Sequence, residues 1–145
     1  MPAWVQAGYE EYAKRMPRNF KLHLVEINAP KRGKNADIAR IKRDEGQKML
    51  AAIPAGSTVI ALEVNGRTWD TTELSKQMQR WQASGSDIAL LVGGPDGLAK
   101  ECQDRADQQW SLSKLTLPHP LVRILLAEQL YRAQSILNNH PYHRG

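Results

Sequence analysis

Apolar and polar positions between residues 3 and 16 recur at helical spacing. Trp4, Ala7 and Tyr12 fall to one side, Glu10, Glu11, Lys14 and Arg15 to the other, and Pro17 stops the run. Residues 20–27 alternate before ending in a short apolar stretch, which predicts a strand. A basic loop with turn residues at both ends follows over 28–35. A second helix is expected over 37–53, burying Ile38, Ile41, Met49, Leu50 and Ile53. Residues 58–64 are nearly all apolar, as in a strand covered on both faces, and Asn65-Gly66 then turns the chain. Asp70 or Thr71 caps a helix that reaches about Ala83, with Glu73 in its first turn and Gly85 past its end. Residues 87–92 form another buried strand, and 98–107 a short helix. Residues 110–117 alternate like a strand or extended segment. The most apolar helix of the chain runs over 121–137, and 141–145 is a tail. Strands alternating with helices, the central strands apolar, predict a single-domain α/β fold with a mostly parallel sheet covered on both sides.

The helix over 121–137 adds a constraint. Its apolar residues wrap most of its circumference, so it must be buried nearly all round. Either the sheet and a partner subunit both cover it, or the chain threads it through a loop. Glu128 and Arg132 stand four apart on it, at the spacing of an intrahelical ion pair.

Composition narrows the class. With 145 residues, 41% hydrophobic and 24% charged, the chain has an ordinary globular balance, and no apolar run reaches the length of a membrane helix. The amino terminus carries early acids and no continuous apolar core, so a soluble cytoplasmic protein is expected. Cys102 stands alone and supports neither an internal disulfide nor a cysteine zinc site. Lys and Arg exceed Asp and Glu by 20 to 15, a net charge of +5 that favours a polyanionic partner such as nucleic acid without requiring one.

Three segments can carry chemistry. Gly93-Gly94-Pro95-Asp96-Gly97 follows a buried strand, where ligands collect in open α/β sheets. The glycines permit close backbone approach, although Pro-Asp-Gly is also an ordinary turn. Neither a dinucleotide fingerprint nor a P-loop is present. In 112–119, prolines on both sides of His119 hold the backbone extended, either as a rigid helix entry or around a working imidazole. The tail puts the imidazoles of His140 and His143, the stacking ring of Tyr142 and the phosphate-binding fork of Arg144 within a few residues. Terminal residues are also commonly frayed. The two histidines are no metal pair: Pro141 breaks the spacing and no carboxylate or thiol stands nearby.

The strand-loop LLVGGPDG, the segment WSLSKLTLPHPLVRILLAEQLYRA, the terminal NHPYHR and the upstream KRGKNADI together closely resemble the RlmH family. These are SPOUT-superfamily methyltransferases that modify pseudouridine in large-subunit ribosomal RNA. The resemblance spans the whole chain, except that the family's first β-strand, which precedes the helix near Pro2, has no counterpart here. It implies an α/β fold with a trefoil knot through which the terminal helix passes, and a homodimer. It implies S-adenosylmethionine as cofactor, in a pocket formed by Leu62, Gly93, Gly94, Leu112, Ser113, Lys114, Leu115, Thr116 and Leu117. The implied substrate is N3 of a pseudouridine in ribosomal RNA of assembled ribosomes, with Tyr142, His143 and Arg144 as the catalytic and RNA-contacting element. His143 is the first candidate for the base that removes the N3 proton, with Arg144 opposite the developing charge or a phosphate, and His119 as the other candidate base. No metal and no membrane is implied. The alternatives are a non-catalytic ribosome-binding factor using the same basic surface, and a different nucleotide-binding enzyme on a doubly wound sheet.

Overall fold

In the computed structural model, which describes residues 1–27 and 37–144, three parallel strands form the sheet. β1 (Thr58–Thr68) lies between β2 (Ile88–Leu91) and β3 (Gln108–Ser111). Thr58 pairs with Ile88 on one side, and Ile60 with Gln108 on the other. Among the described residues there are five α-helices: α1 (Ala3–Ala13), α2 (Ile38–Ala52), α3 (Thr71–Ser84), α4 (Lys100–Arg105) and α5 (His119–Leu137). The basic loop read over 28–35 lies outside the described residues.

Side chains of a strand point alternately to its two faces. Ile60 accordingly packs with Leu74, Met78 and Trp81 of α3 and Leu126, Leu130 and Ala133 of α5. Its neighbours Val59 and Ala61 face the other way, onto Leu98, Ala99 and Cys102, with Met49 and Leu50 of α2 behind them. The unbroken apolar character of β1 is therefore the mark of a central strand with helices on both faces. Helix ends follow local chemistry. Asp70 accepts a hydrogen bond from the Glu73 amide at 2.7 Å and caps α3, while Gly85 closes it with φ +71°. Asp37 caps α2 through the Arg40 amide.

Several expectations need correction. The strand read over 20–27 does not form: Arg18–Phe20 make one 3-10 turn, and residues 21–27 join no ladder. Alternation decides which face a side chain takes, but a strand also needs a neighbour for its backbone groups, and no strand among the described residues pairs here. Phe20 and Leu22 still pack against the core, whereas Leu24 and Val25 are exposed. Ile38, expected inside, begins α2 on its exposed side, and only Ile41 of the predicted face is fully buried. Asn65-Gly66 does not reverse the chain. Leu62 and Arg67 both stand opposite Trp110, so the residues between them bulge out and the strand resumes. A Cβ at Gly66 would lie 2.7 Å from the Trp110 amide nitrogen, so the bulge returns by passing close to the neighbouring backbone. The extended segment after Trp110 leaves the ladder at Ser111. α5, read as covered by the sheet together with a partner subunit or as threaded through a loop, leaves Leu121 and Leu125 40% and 39% exposed within one chain.

Candidate functional site

Because the three strands are parallel, the segments leaving β2 and β3 open on the same edge of the sheet, beside the point where β1 bulges. They enclose a cleft of about 720 Å³. β1 contributes Leu62, Glu63 and Val64. The loop after β2 contributes Val92, Gly93, Gly94, Pro95, Gly97 and Leu98. The segment after β3 contributes Leu112, Ser113, Leu115, Thr116, Leu117 and Pro118, and the start of α5 adds His119, Pro120 and Val122.

Eight of the nine residues expected to hold a cofactor thus line one cleft; Lys114 does not. The segment turns at Ser113, whose hydroxyl accepts from the Leu115 amide at 3.0 Å and whose carbonyl accepts from Ser111 Oγ at 2.9 Å. Sequence reading missed Glu63 and Val64. Glu63 is a carboxylate on the cleft wall, and it accepts from Gln103 Nε2 at 2.9 Å. The signal available was position: both follow Leu62 directly, where an apolar strand meets a polar Asn-Gly pair.

The two loop glycines do different work. A Cβ at Gly93 would sit 2.7 Å from the Gly97 carbonyl carbon, so this glycine lets the loop close on itself through the Gly94–Gly97 bridge. A Cβ at Gly94 would meet only Glu45 Oε2, at 3.6 Å. The fold alone therefore has room for a Cβ there, and Gly94 lines the cleft without a side chain of its own. Among the described residues no group of three or more His, Cys, Asp or Glu side chains is placed to hold a metal ion.

The tail forms a second cluster, away from the cleft. Asn139 takes a left-handed φ of +55° and the His140 amide donates to the Ser135 carbonyl at 2.8 Å, turning the chain back along α5. Glu128 and Arg132 make the expected ion pair at 2.7 Å. The Tyr142 hydroxyl donates to Glu128 Oε1 at 3.2 Å, and the Arg132 guanidinium lies over the Tyr142 ring at 4.7 Å. Tyr131 meets the same ring edge-on, with centroids 4.7 Å apart. His143 Nδ1 lies 3.4 Å from an Arg132 terminal nitrogen. Burial, followed by the Glu128 carboxylate, raises the Tyr142 pKa above the ordinary phenol value, so the phenol stays a donor. The hydrogen bond from Arg132 to Glu128 likewise raises the guanidinium pKa.

Cleft and tail do not meet within one chain. No described tail residue lines the cleft. Pro120 at the cleft and Glu128 under the tail are eight residues apart on α5, about 12 Å at the helical rise, and Arg132 is about 18 Å along. Of the two imidazoles considered as bases, His119 stands on the cleft wall and His143 on the tail.

With this geometry in view, comparison with known proteins is specific. Residues 1–143 match the family described as "Predicted SPOUT methyltransferase". The chain is 62% identical over 144 residues to the ribosomal RNA large subunit methyltransferase H of Hahella chejuensis, a match covering 99% of this chain and 92% of that protein. It is 59% identical over 144 residues to the protein of the same name from Marinomonas sp., covering 99% of this chain and 93% of the other.

Proposed function

Since the chain belongs to the SPOUT methyltransferase family, we propose that it methylates N3 of a pseudouridine in large-subunit ribosomal RNA on assembled ribosomes, using S-adenosylmethionine. The observation that carries this reading is the cleft itself. Two loops that lie apart in the sequence, 93–98 and 112–118, become walls of one cavity edged by an open glycine backbone. Such a cavity suits this cofactor: Leu62, Val64, Val92, Leu112, Leu115 and Leu117 offer apolar surface to a flat base, and Glu63 offers a carboxylate. When bound, S-adenosylmethionine supplies a methyl group already activated by its sulfonium.

What remains for the protein is to hold the acceptor ring and remove its N3 proton. His143 is the proposed base, accepting that proton at a ring nitrogen as N3 becomes a nucleophile. Arg144, exposed at the end of the tail, balances the charge left on the ring or holds a backbone phosphate. Tyr142 completes the element. The alternative base is His119, already at the cleft.

The separation along α5 makes this reading one of a homodimer, in which the tail of one copy serves the cleft of the other. Leu121 and Leu125 on α5 and the 56% exposed Trp4 on α1 supply apolar surface for such a contact. Threading of α5 through the cleft loops, as in the family's trefoil knot, belongs to the same proposal. A ribosomal substrate implies the cytoplasm as the place of action. Among the described residues no helix is long and apolar enough to cross a membrane.

Calorimetry with S-adenosylmethionine, combined with mass mapping of ribosomal RNA from cells lacking the gene, tests the reading. Micromolar cofactor binding and loss of one methyl group from a pseudouridine are expected. Ribosome binding without cofactor binding would instead support a non-catalytic factor, and binding of ATP or NAD in its place a different nucleotide enzyme.

A further inference from the structure

Tyr142 is held in place by side chains of its own chain. Its hydroxyl is engaged by Glu128, one side of its ring by Arg132, and another by Tyr131. These contacts commit the half-buried ring to its own chain. The next residue, His143, is brought against Arg132 by the same seat, and Arg144 follows it into solvent.

The geometry points to Tyr142 as a positioning residue, seated by the Glu128–Arg132 pair so that His143 and Arg144 project toward the RNA. This rests on the tail being the RNA-contacting element, and it changes what each residue does within that element. The seat is built on a helix rather than on a loop. Glu128 Oε1 takes both the Arg132 fork, with Nε and one terminal nitrogen at 2.7 Å, and the Tyr142 hydroxyl. Glu128 Oε2 accepts in turn from Gln129 Nε2 at 2.7 Å. A planar fork locked by its carboxylate presents a fixed cationic face, which is what the Tyr142 ring needs. A lysine keeps the charge but loses the plane. The arrangement therefore explains why the pair stands four residues apart on α5 and why the tail returns over it: the ion pair fixes a segment that would otherwise fray.

The test is a double-mutant cycle on the single-turnover rate of ribosome methylation, read beside the side-chain NMR signals of Tyr142. Tyr142→Phe removes only the hydroxyl and should slow the reaction by about fivefold, the worth of one hydrogen bond. Tyr142→Ala and Arg132→Gln should each slow it by about 10²-fold, the effect of a misplaced catalytic group. Together they should be no worse than either alone, with cofactor affinity and helix content unchanged. Arg132→Lys should recover part of the rate. Arg132→Gln should also collapse the shift that the Tyr131 ring imposes on the Tyr142 signals. Multiplying effects in the double variant, or a Tyr142 environment indifferent to Arg132, would overturn the proposal. An inactive wild-type protein would instead count against the catalytic reading of the tail, an outcome the NMR signals keep separate.

Discussion

Gly46 of α2 and Ala99 at the start of α4 meet where only a glycine fits: a Cβ built at Gly46 would lie 2.6 Å from the Ala99 Cβ. The Cys102 thiol, 3.6 Å from the Gly46 carbonyl oxygen, closes the same contact. This crossing fixes α2 against the face of the sheet that carries Val59 and Ala61. It also sets Glu45 beside Gly94 at the cleft. Gly46→Ala should therefore force the two helices apart, at a cost of about 1–3 kcal/mol for overpacking. Thermal unfolding should show a midpoint several degrees lower. An unchanged midpoint would mean that α4 moves freely and does not position the loop.

Gly93 and Gly94 should separate folding from binding. Gly93→Ala drives a Cβ into the Gly97 backbone and should lower stability by about 1–3 kcal/mol, with cofactor affinity falling as a consequence. A Cβ at Gly94 meets only Glu45 Oε2 at 3.6 Å, so Gly94→Val should lower the unfolding midpoint less than Gly93→Ala while abolishing S-adenosylmethionine binding. Calorimetry and thermal melts on the two variants decide it. Normal cofactor binding by Gly94→Val would make the loop a mere turn.

Removing residues 142–145 should abolish methylation and leave cofactor affinity nearly unchanged, because no described tail residue lines the cleft of its own chain. His143→Ala alone should slow single turnover by about 10²–10⁴, the range of general-base catalysis. Arg144→Ala should weaken ribosome binding and flatten its salt dependence if it holds a phosphate. A tailless protein that methylates at the normal rate would pass the base role to His119 or to solvent.

The exposed Leu121 and Leu125 should lie in a contact between two copies. Leu125→Asp should shift the sedimentation coefficient of a micromolar sample from dimer to monomer and, with it, eliminate methylation. A wild-type monomer at that concentration would remove the basis for one copy serving the other.

Alkaline stability should carry the mark of the tail. Tyr142 holds its proton above the ordinary phenol value of 10.0, and Tyr9, raised first by burial, shifts the same way. Where the folded value exceeds the unfolded one, the folded chain keeps protons that the unfolded chain has released. Stability is then full below the unfolded value and declines as pH rises past it. Denaturant titrations across this range should show a shallower decline in Tyr142→Phe than in wild type, with the Tyr9 share remaining. Superimposable profiles would mean that the tail is not seated in solution.

Local rules read from the sequence alone determined much of this protein. The capping of α3 at Asp70 or Thr71, its closure by Gly85 and the pairing of Glu128 with Arg132 each depend on residues within a few positions of one another, and the apolar run of β1 announces its two-sided burial. Short-range spacing constrains such features, so they are legible before any fold is known. The cleft motifs were legible too, as a resemblance, and their residues do line one cavity, apart from Lys114. Tertiary structure decided the rest. Whether 20–27 becomes a strand depends on a neighbour that alternation cannot supply. Whether Asn65-Gly66 turns or bulges depends on Trp110, which pairs on both sides of it. That the tail is seated rather than frayed depends on Asn139 reversing the chain and on a carboxylate fourteen positions away. Each of these turns on a contact between distant parts of the chain, whose geometry exists only once the sheet and α5 have brought them together.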